Sequence, residues 1–153
     1  LAQIQPYKKI APNYYRVLKL LNDIFKKEFK DITYLNKNSL EMVCNFIGIE
    51  KNIDIFSEMD LKIKDPKAPD EWALNICKEL GNVHEYWNPP GGDSFFNREK
   101  YAEAGIELKF QQIVLKPYSQ KRTAFVPGLS ILDVMMFNHN DDINKMLDTY
   151  YLK

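Results

Sequence analysis

The segment IELKFQQIV, residues 106–114, sets apolar side chains at every second position through Phe110. A period of two suits a strand with one covered face, and a helix does not satisfy it. Two shorter segments, NIDIF at 52–56 and VHEYW at 83–87, have the same texture. Between these strands stand two helical patterns, at 70–80 and 94–104. The first opens after Pro69 and shows Trp72, Leu74, Ile76, Cys77 and Leu80 on its apolar side; Gly81 and Gly105 end the two. Strand, helix, strand, loop, helix, strand is the order of right-handed crossover units that build a parallel sheet. The expected class is therefore α/β: a small parallel or mixed sheet of about three strands with crossover helices, preceded by a helical hairpin. Three strands are few for a parallel sheet, which has to be covered on both faces.

The hairpin comes from the first third of the chain. From 12 to 30, Tyr15, Leu18, Leu21, Ile24 and Phe25 recur at helical spacing, widened by Tyr14, Val17 and Leu20. Pro12 suits a first helical turn. Asp31 or Thr33 can cap a second helix through Leu35, Leu40, Val43, Phe46 and Ile47, with Gly48 as its stop. So short a connection predicts an antiparallel pair. DLKIKDPKA at 60–68 reads as a polar loop, and helices are expected at 129–137, capped by Ser130, and at 141–152. A length of 153 residues suits one domain. Residues 1–50 then form the hairpin within the same domain as an α/β portion at 51–153. The first residue is Leu1 rather than Met, and the sheet is short, so a fragment of a larger domain is also expected.

Charge narrows the function. Lys plus Arg is 21 and Asp plus Glu is 21, so no cationic excess exists to bind nucleic acid generally or to hold a polybasic face on a membrane. No apolar run approaches the roughly 20 residues that span a bilayer, and residues 1–6 lack a signal-peptide build. Cys44 and Cys77 sit inside amphipathic patterns and read as free thiols in a reducing, cytoplasmic setting. Neither His84 nor His139 has a partner at metal-ligand spacing, so neither a metal nor a cofactor is expected.

Ligands of open α/β sheets bind at the carboxyl ends of strands. WNPPGGDSFF, 87–96, occupies that place. Gly91 and Gly92 let backbone approach a ligand, and their amides suit an anion. Asn88, Asp93 and Ser94 add polar side chains, and Tyr86 with Trp87 bring aromatic faces. The same residues also read as a tight turn, with Asp93 or Ser94 capping the next helix. His84 is the one candidate general base before the tail, or else a structural histidine. Tyr118, Gln120 and Arg122 lie in KPYSQKR (116–122), a donor-rich stretch suited to a diphosphate or carboxylate and equally to a solvated loop.

Several segments in order resemble the WbqC-like family: ICKELG at 76–81, Tyr86, Gly91-Gly92-Asp93, AGIELKFQ at 104–111, PYSQ at 117–120 and LSILD at 129–133. YKKIAP at 7–12 and Leu35-Asn36 are similar to that family's middle region. The chain departs from it at Trp87-Asn88-Pro89-Pro90-Gly91-Gly92, where a Ser-Gly-Pro-Gly-Gly-type loop is usual. The resemblance covers nearly this whole chain and corresponds to the later part of the family's sequence. Members usually carry a further upstream segment rich in aromatic and basic residues. The resemblance implies a bacterial, cytoplasmic protein of surface-polysaccharide (O-antigen) biosynthesis.

The expectation is a transferase acting on a sugar or nucleotide sugar, with acyl or aminoacyl transfer to an amino sugar as its concrete form. His84 would accept the proton, Asp93 would orient a hydroxyl, and Gly91 and Gly92 would bind an anionic group. Tyr118 and Arg122 would hold phosphate, and Tyr86, Asn88, Ser94 and Gln120 would line the substrate. The alternative is a non-catalytic binding or scaffolding module for sugar-processing enzymes. A homo-oligomer stays open.

Overall fold

The computed structural model describes residues 2–153, so Leu1 lies outside the described residues. A 3-10 segment, Ala2–Lys9, precedes α1 (Tyr14–Phe25) and α2 (Ile32–Phe46). Then come α3 (Glu71–Leu80), β1 (Glu85–Asn88), α4 (Arg98–Glu103), β2 (Glu107–Ile113), α5 (Ile131–Phe137), α6 (Asn140–Leu147) and β3 (Tyr150–Leu152). The contacts gather into two compact units. Among the described residues, one holds 2–56 and 115–149, the other Ser57–Val114 and Tyr150–Lys153.

The helical unit is built on α1. Its buried face, Tyr14, Val17, Leu20, Leu21 and Ile24, packs in one core with Met135 and Met136 of α5 and Ile143 of α6. α2 begins where expected, because Asp31 Oδ1 accepts from the Thr33 and Tyr34 amides at 2.8 and 3.3 Å. α1 starts later and ends sooner than the 12–30 pattern, at Tyr14 and Phe25. Side-chain amides bind the C-terminal helices to this hairpin. Asn13 Nδ2 donates to the Met135 and Asn138 carbonyls at 3.0 and 2.8 Å. Asn140 and Asn144 donate to the Phe46 and Ile47 carbonyls at 2.6 and 3.1 Å, meeting acceptors that α2 leaves over at its end. Residues 115–149 thus fold with the hairpin.

The other unit carries a mixed three-stranded sheet in the order β1-β2-β3. β1 runs parallel to β2, from Glu85 opposite Glu107 to Asn88 opposite Phe110. α4 lies on the crossover between them. β3 is antiparallel to β2, with Gln111 opposite Leu152 and Ile113 opposite Tyr150. Leu74 and Cys77 of α3 pack with Tyr101, Ile106, Leu108 and Phe110 in this unit's core. The sheet differs from expectation at three places. Residues 52–56 form no strand and take no place in the β1-β2-β3 sheet: an alternating pattern becomes a strand only where a neighbouring strand takes its backbone hydrogen bonds. The helix expected at 141–152 stops at Leu147, and Tyr150–Leu152 pairs with β2 instead, as its aromatic residues favour. The helix expected at 94–104 begins only at Arg98, where Asn97 Oδ1 accepts from the Glu99 and Lys100 amides at 2.9 and 3.4 Å.

Candidate functional site

The corner after β1 is a 3-10 turn, Pro90–Gly92. The Gly92 and Asp93 amides donate to the Pro89 and Pro90 carbonyls at 3.1 and 3.2 Å, so the Gly92 amide, one of the two expected to face an anion, is engaged within the turn. Gly92 is buried, and a Cβ there would stand 2.1 Å from Asn88 Nδ2 and 3.1 Å from the Phe96 and Phe110 rings. The glycine is required by close packing here. Asn88 is held by Tyr86 Oη at 3.2 Å and by its own bond to the Pro89 carbonyl. Tyr86 stacks between Phe96 and Tyr101, and burial pushes its hydroxyl pKa up. Asp93 accepts from Lys153 Nζ at 2.5 Å and Arg98 Nη2 at 3.3 Å; these bonds, Lys153's above all, hold its carboxyl below the usual range. Gly91 and Ser94 are exposed. His84 is exposed at the start of β1, and the corner lies past its end, about 13 Å of strand away. The structure does not bring His84 to Asp93.

Tyr118, Gln120 and Arg122 belong to the helical unit, and there they meet two residues not singled out by sequence reasoning, Tyr7 and Asp133. Asp133 lies in the first turn of α5, positioned by the Ser130 cap, whose Oγ accepts from the Leu132 amide at 3.3 Å. It is only 3% exposed. Tyr7 Oη donates to its Oδ2 at 2.6 Å, while Tyr118 Oη and Gln120 Nε2 donate to its Oδ1 at 2.5 and 3.0 Å. Gln120, equally buried, also clasps Val126 through both its amide N–H and its carbonyl. Arg122 stands over the Tyr7 ring, 5.7 Å from its centre.

Electrostatics fix the protons. Burial and the bond to Asp133 push the Tyr118 hydroxyl up to about 12, and the same two causes raise Tyr7. Both phenols therefore stay protonated at neutral pH and donate to the carboxylate. A carboxylate oxygen has two lone pairs. Among the described residues Oδ1 takes two donors and Oδ2 takes one, which leaves an acceptor position at Oδ2. Asp133, Tyr7, Ser130 and Met136 line a cavity of about 200 Å³, on the scale of a single sugar ring.

Three distant stretches meet at this carboxylate: 7–12, 117–120 and 129–133. They are segments on which the likeness to a known family rests, and the family comparison agrees, matching residues 1–145. The chain belongs to the WbqC-like protein family. No curated protein and no solved structure gives a significant match. Family membership points to a role related to polysaccharide biosynthesis. The WbqC-like chain has no helix among the described residues long and apolar enough to cross a membrane. Its free cysteines differ in setting: Cys77 is buried, which raises its thiol pKa, and Cys44 is half-buried. The signal for Tyr7 and Asp133 was their place in the segments shared with the family, beside PYSQ.

Proposed function

We propose that this WbqC-like protein is a cytoplasmic enzyme of bacterial surface-polysaccharide biosynthesis that transfers an acyl or aminoacyl group to an amino sugar, free or nucleotide-linked. One observation carries the reading: three separate segments converge on a buried carboxylate at the wall of a cavity of about 200 Å³. In this reading Oδ2 of Asp133 receives a proton from the sugar's amine as its nitrogen bonds to the acyl carbon. The thiolate or alkoxide departs from that carbon and takes this proton from Asp133, leaving as thiol or alcohol and returning the carboxylate to its starting state. Tyr7 and Tyr118 hold the carboxylate in place by donating to it, and Ser130 offers a hydroxyl to the ring. The proton acceptor is thus moved from His84 to Asp133.

The test supplies an acyl thioester and an amino sugar and follows the amide product by mass spectrometry. Asp133→Asn should lower kcat by about 10²–10⁴-fold while the protein stays folded. Turnover at the parent rate would end the assignment. A second reading, a non-catalytic sugar-binding module, is favoured by the fact that the carboxylate already holds three internal donors. Saturable amino-sugar binding without any product would establish it.

A further inference from the structure

The polar loop at 60–68 gathers its lysines. Leu61 and Ile63 are half-buried while Lys62 and Lys64, which alternate with them, are exposed and line one cavity. The loop is pinned to α3: Asn75 Nδ2 donates to the Lys64 carbonyl at 2.8 Å, and the Lys67 amide donates to Glu71 Oε2 at 2.8 Å. Glu71, Leu74, Asn75 and Lys78 recur at i, i+3, i+4 and i+7, a single face of α3. Loop, helix face and α4 together enclose a cavity of about 450 Å³, within the range of small-molecule sites.

Five lysines line this cavity against three glutamates. Lys100 is neutralised there, at 2.8 Å from Glu71 and 3.4 Å from the nearly buried Asp70. Lys62, Lys64, Lys67 and Lys78 have no carboxylate within ion-pair distance among the described residues. The whole chain is neutral, so this excess is local. Five lysines against three glutamates leave the lining with a net excess of two positive charges, and an anion bearing two charges relieves that excess. Buried Leu74 adds an apolar patch to the floor.

We infer that this lysine-lined cavity binds a soluble diphosphate-bearing small molecule, of the nucleoside diphosphate class. Each ammonium offers three donors to phosphate oxygens, and the volume leaves room for a group beyond the two phosphates. The site lies wholly in the sheet unit and stands whether or not Asp133 is catalytic.

Calorimetric titration of the full chain with inorganic pyrophosphate, uridine diphosphate and uridine tests it. Saturable binding of pyrophosphate and uridine diphosphate, but not of uridine, is expected, and it should weaken as salt is added. Lys64→Gln and Lys78→Gln should each weaken it about tenfold, the loss of one charge-assisted hydrogen bond. Lys26→Gln, in the helical unit, should leave it unchanged. Flotation with phosphatidylcholine vesicles carrying phosphatidic acid separates the lipid-headgroup source. Vesicle binding without binding of either soluble diphosphate overturns the inference, and so does pyrophosphate affinity unchanged in both cavity variants.

Discussion

Removing the Asp133 carboxylate tests the site and the helical unit's fold together. The side chain accepts from Tyr7, Tyr118 and Gln120, elements brought together from opposite ends of the sequence. A hydrogen bond to a charged group contributes about 1.5–3 kcal/mol. Gln120 keeps its two bonds to Val126, so the tyrosine bonds dominate the loss. Their sum is reduced by the cost of burying the carboxylate, which Asp133→Ala relieves. The net expectation for Asp133→Ala is about 3–5 kcal/mol of destabilisation. Asp133→Asn keeps one carbonyl acceptor and should cost about half as much. Both tryptophans, Trp72 and Trp87, lie in the sheet unit, so their fluorescence is the wrong probe. Urea unfolding followed by helical circular dichroism is the right one. A double-mutant cycle with Tyr118→Phe should give a coupling of about 1–2 kcal/mol. An Asp133→Ala chain within about 0.5 kcal/mol of the parent, the range of a surface change, would refute the reasoning.

Tyr118 ionises near 12 instead of the usual 10 or so, and its neutral form is the one the fold favours. Its contribution is therefore fully present below about pH 10 and is lost as the pH rises to about 12; tyrosinate absorbance should lose one late-titrating group in Tyr118→Phe. Asp93 runs the other way. Its depressed carboxyl supports the fold above about pH 4 and ceases to as the pH falls through the folded value, so acid unfolding should begin at higher pH in Lys153→Ala. Gly92→Ala forces a methyl group against Asn88 Nδ2 and two rings, and should cost about 1–3 kcal/mol by thermal or urea unfolding. A Gly92→Ala protein as stable as the parent would show that the corner can open.

Strands and helices were legible to different depths. β2 was plain because its alternation runs through Phe110, and β1 because a strand texture precedes a turn. The false strand at 52–56 shows the limit: period two is a local property, whereas a strand exists only with a neighbour. β3 shows the converse. Tyr150–Leu152 is too short to declare a period, and it is a strand because the edge of β2 is there to receive it. The return of 115–149 to the hairpin had no local signal either. It depends on asparagine side chains meeting carbonyls at |i−j| of 94 to 125, and asparagine at a helix end reads as an ordinary cap.

The same distance hid half of the candidate site. Tyr118, Gln120 and Arg122 were visible as a cluster of donors, and a cluster of donors suggests an external anion. The anion is instead internal. Asp133, read alone, is an acid in the first turn of a helix, where it is favourable for the helix dipole and carries no further meaning. Only its burial distinguishes it, and that burial is made with Tyr7, 126 residues away. A glycine pair after a strand misleads in the opposite direction, because its chemistry is local and easily named. Gly92 is glycine for want of room beside Asn88 and Phe110, and its amide already has a partner. Donor groups indicate a ligand site only after their internal acceptors are known. In this protein that condition leaves Oδ2 of Asp133 at one cavity and the four unpaired lysines at the other.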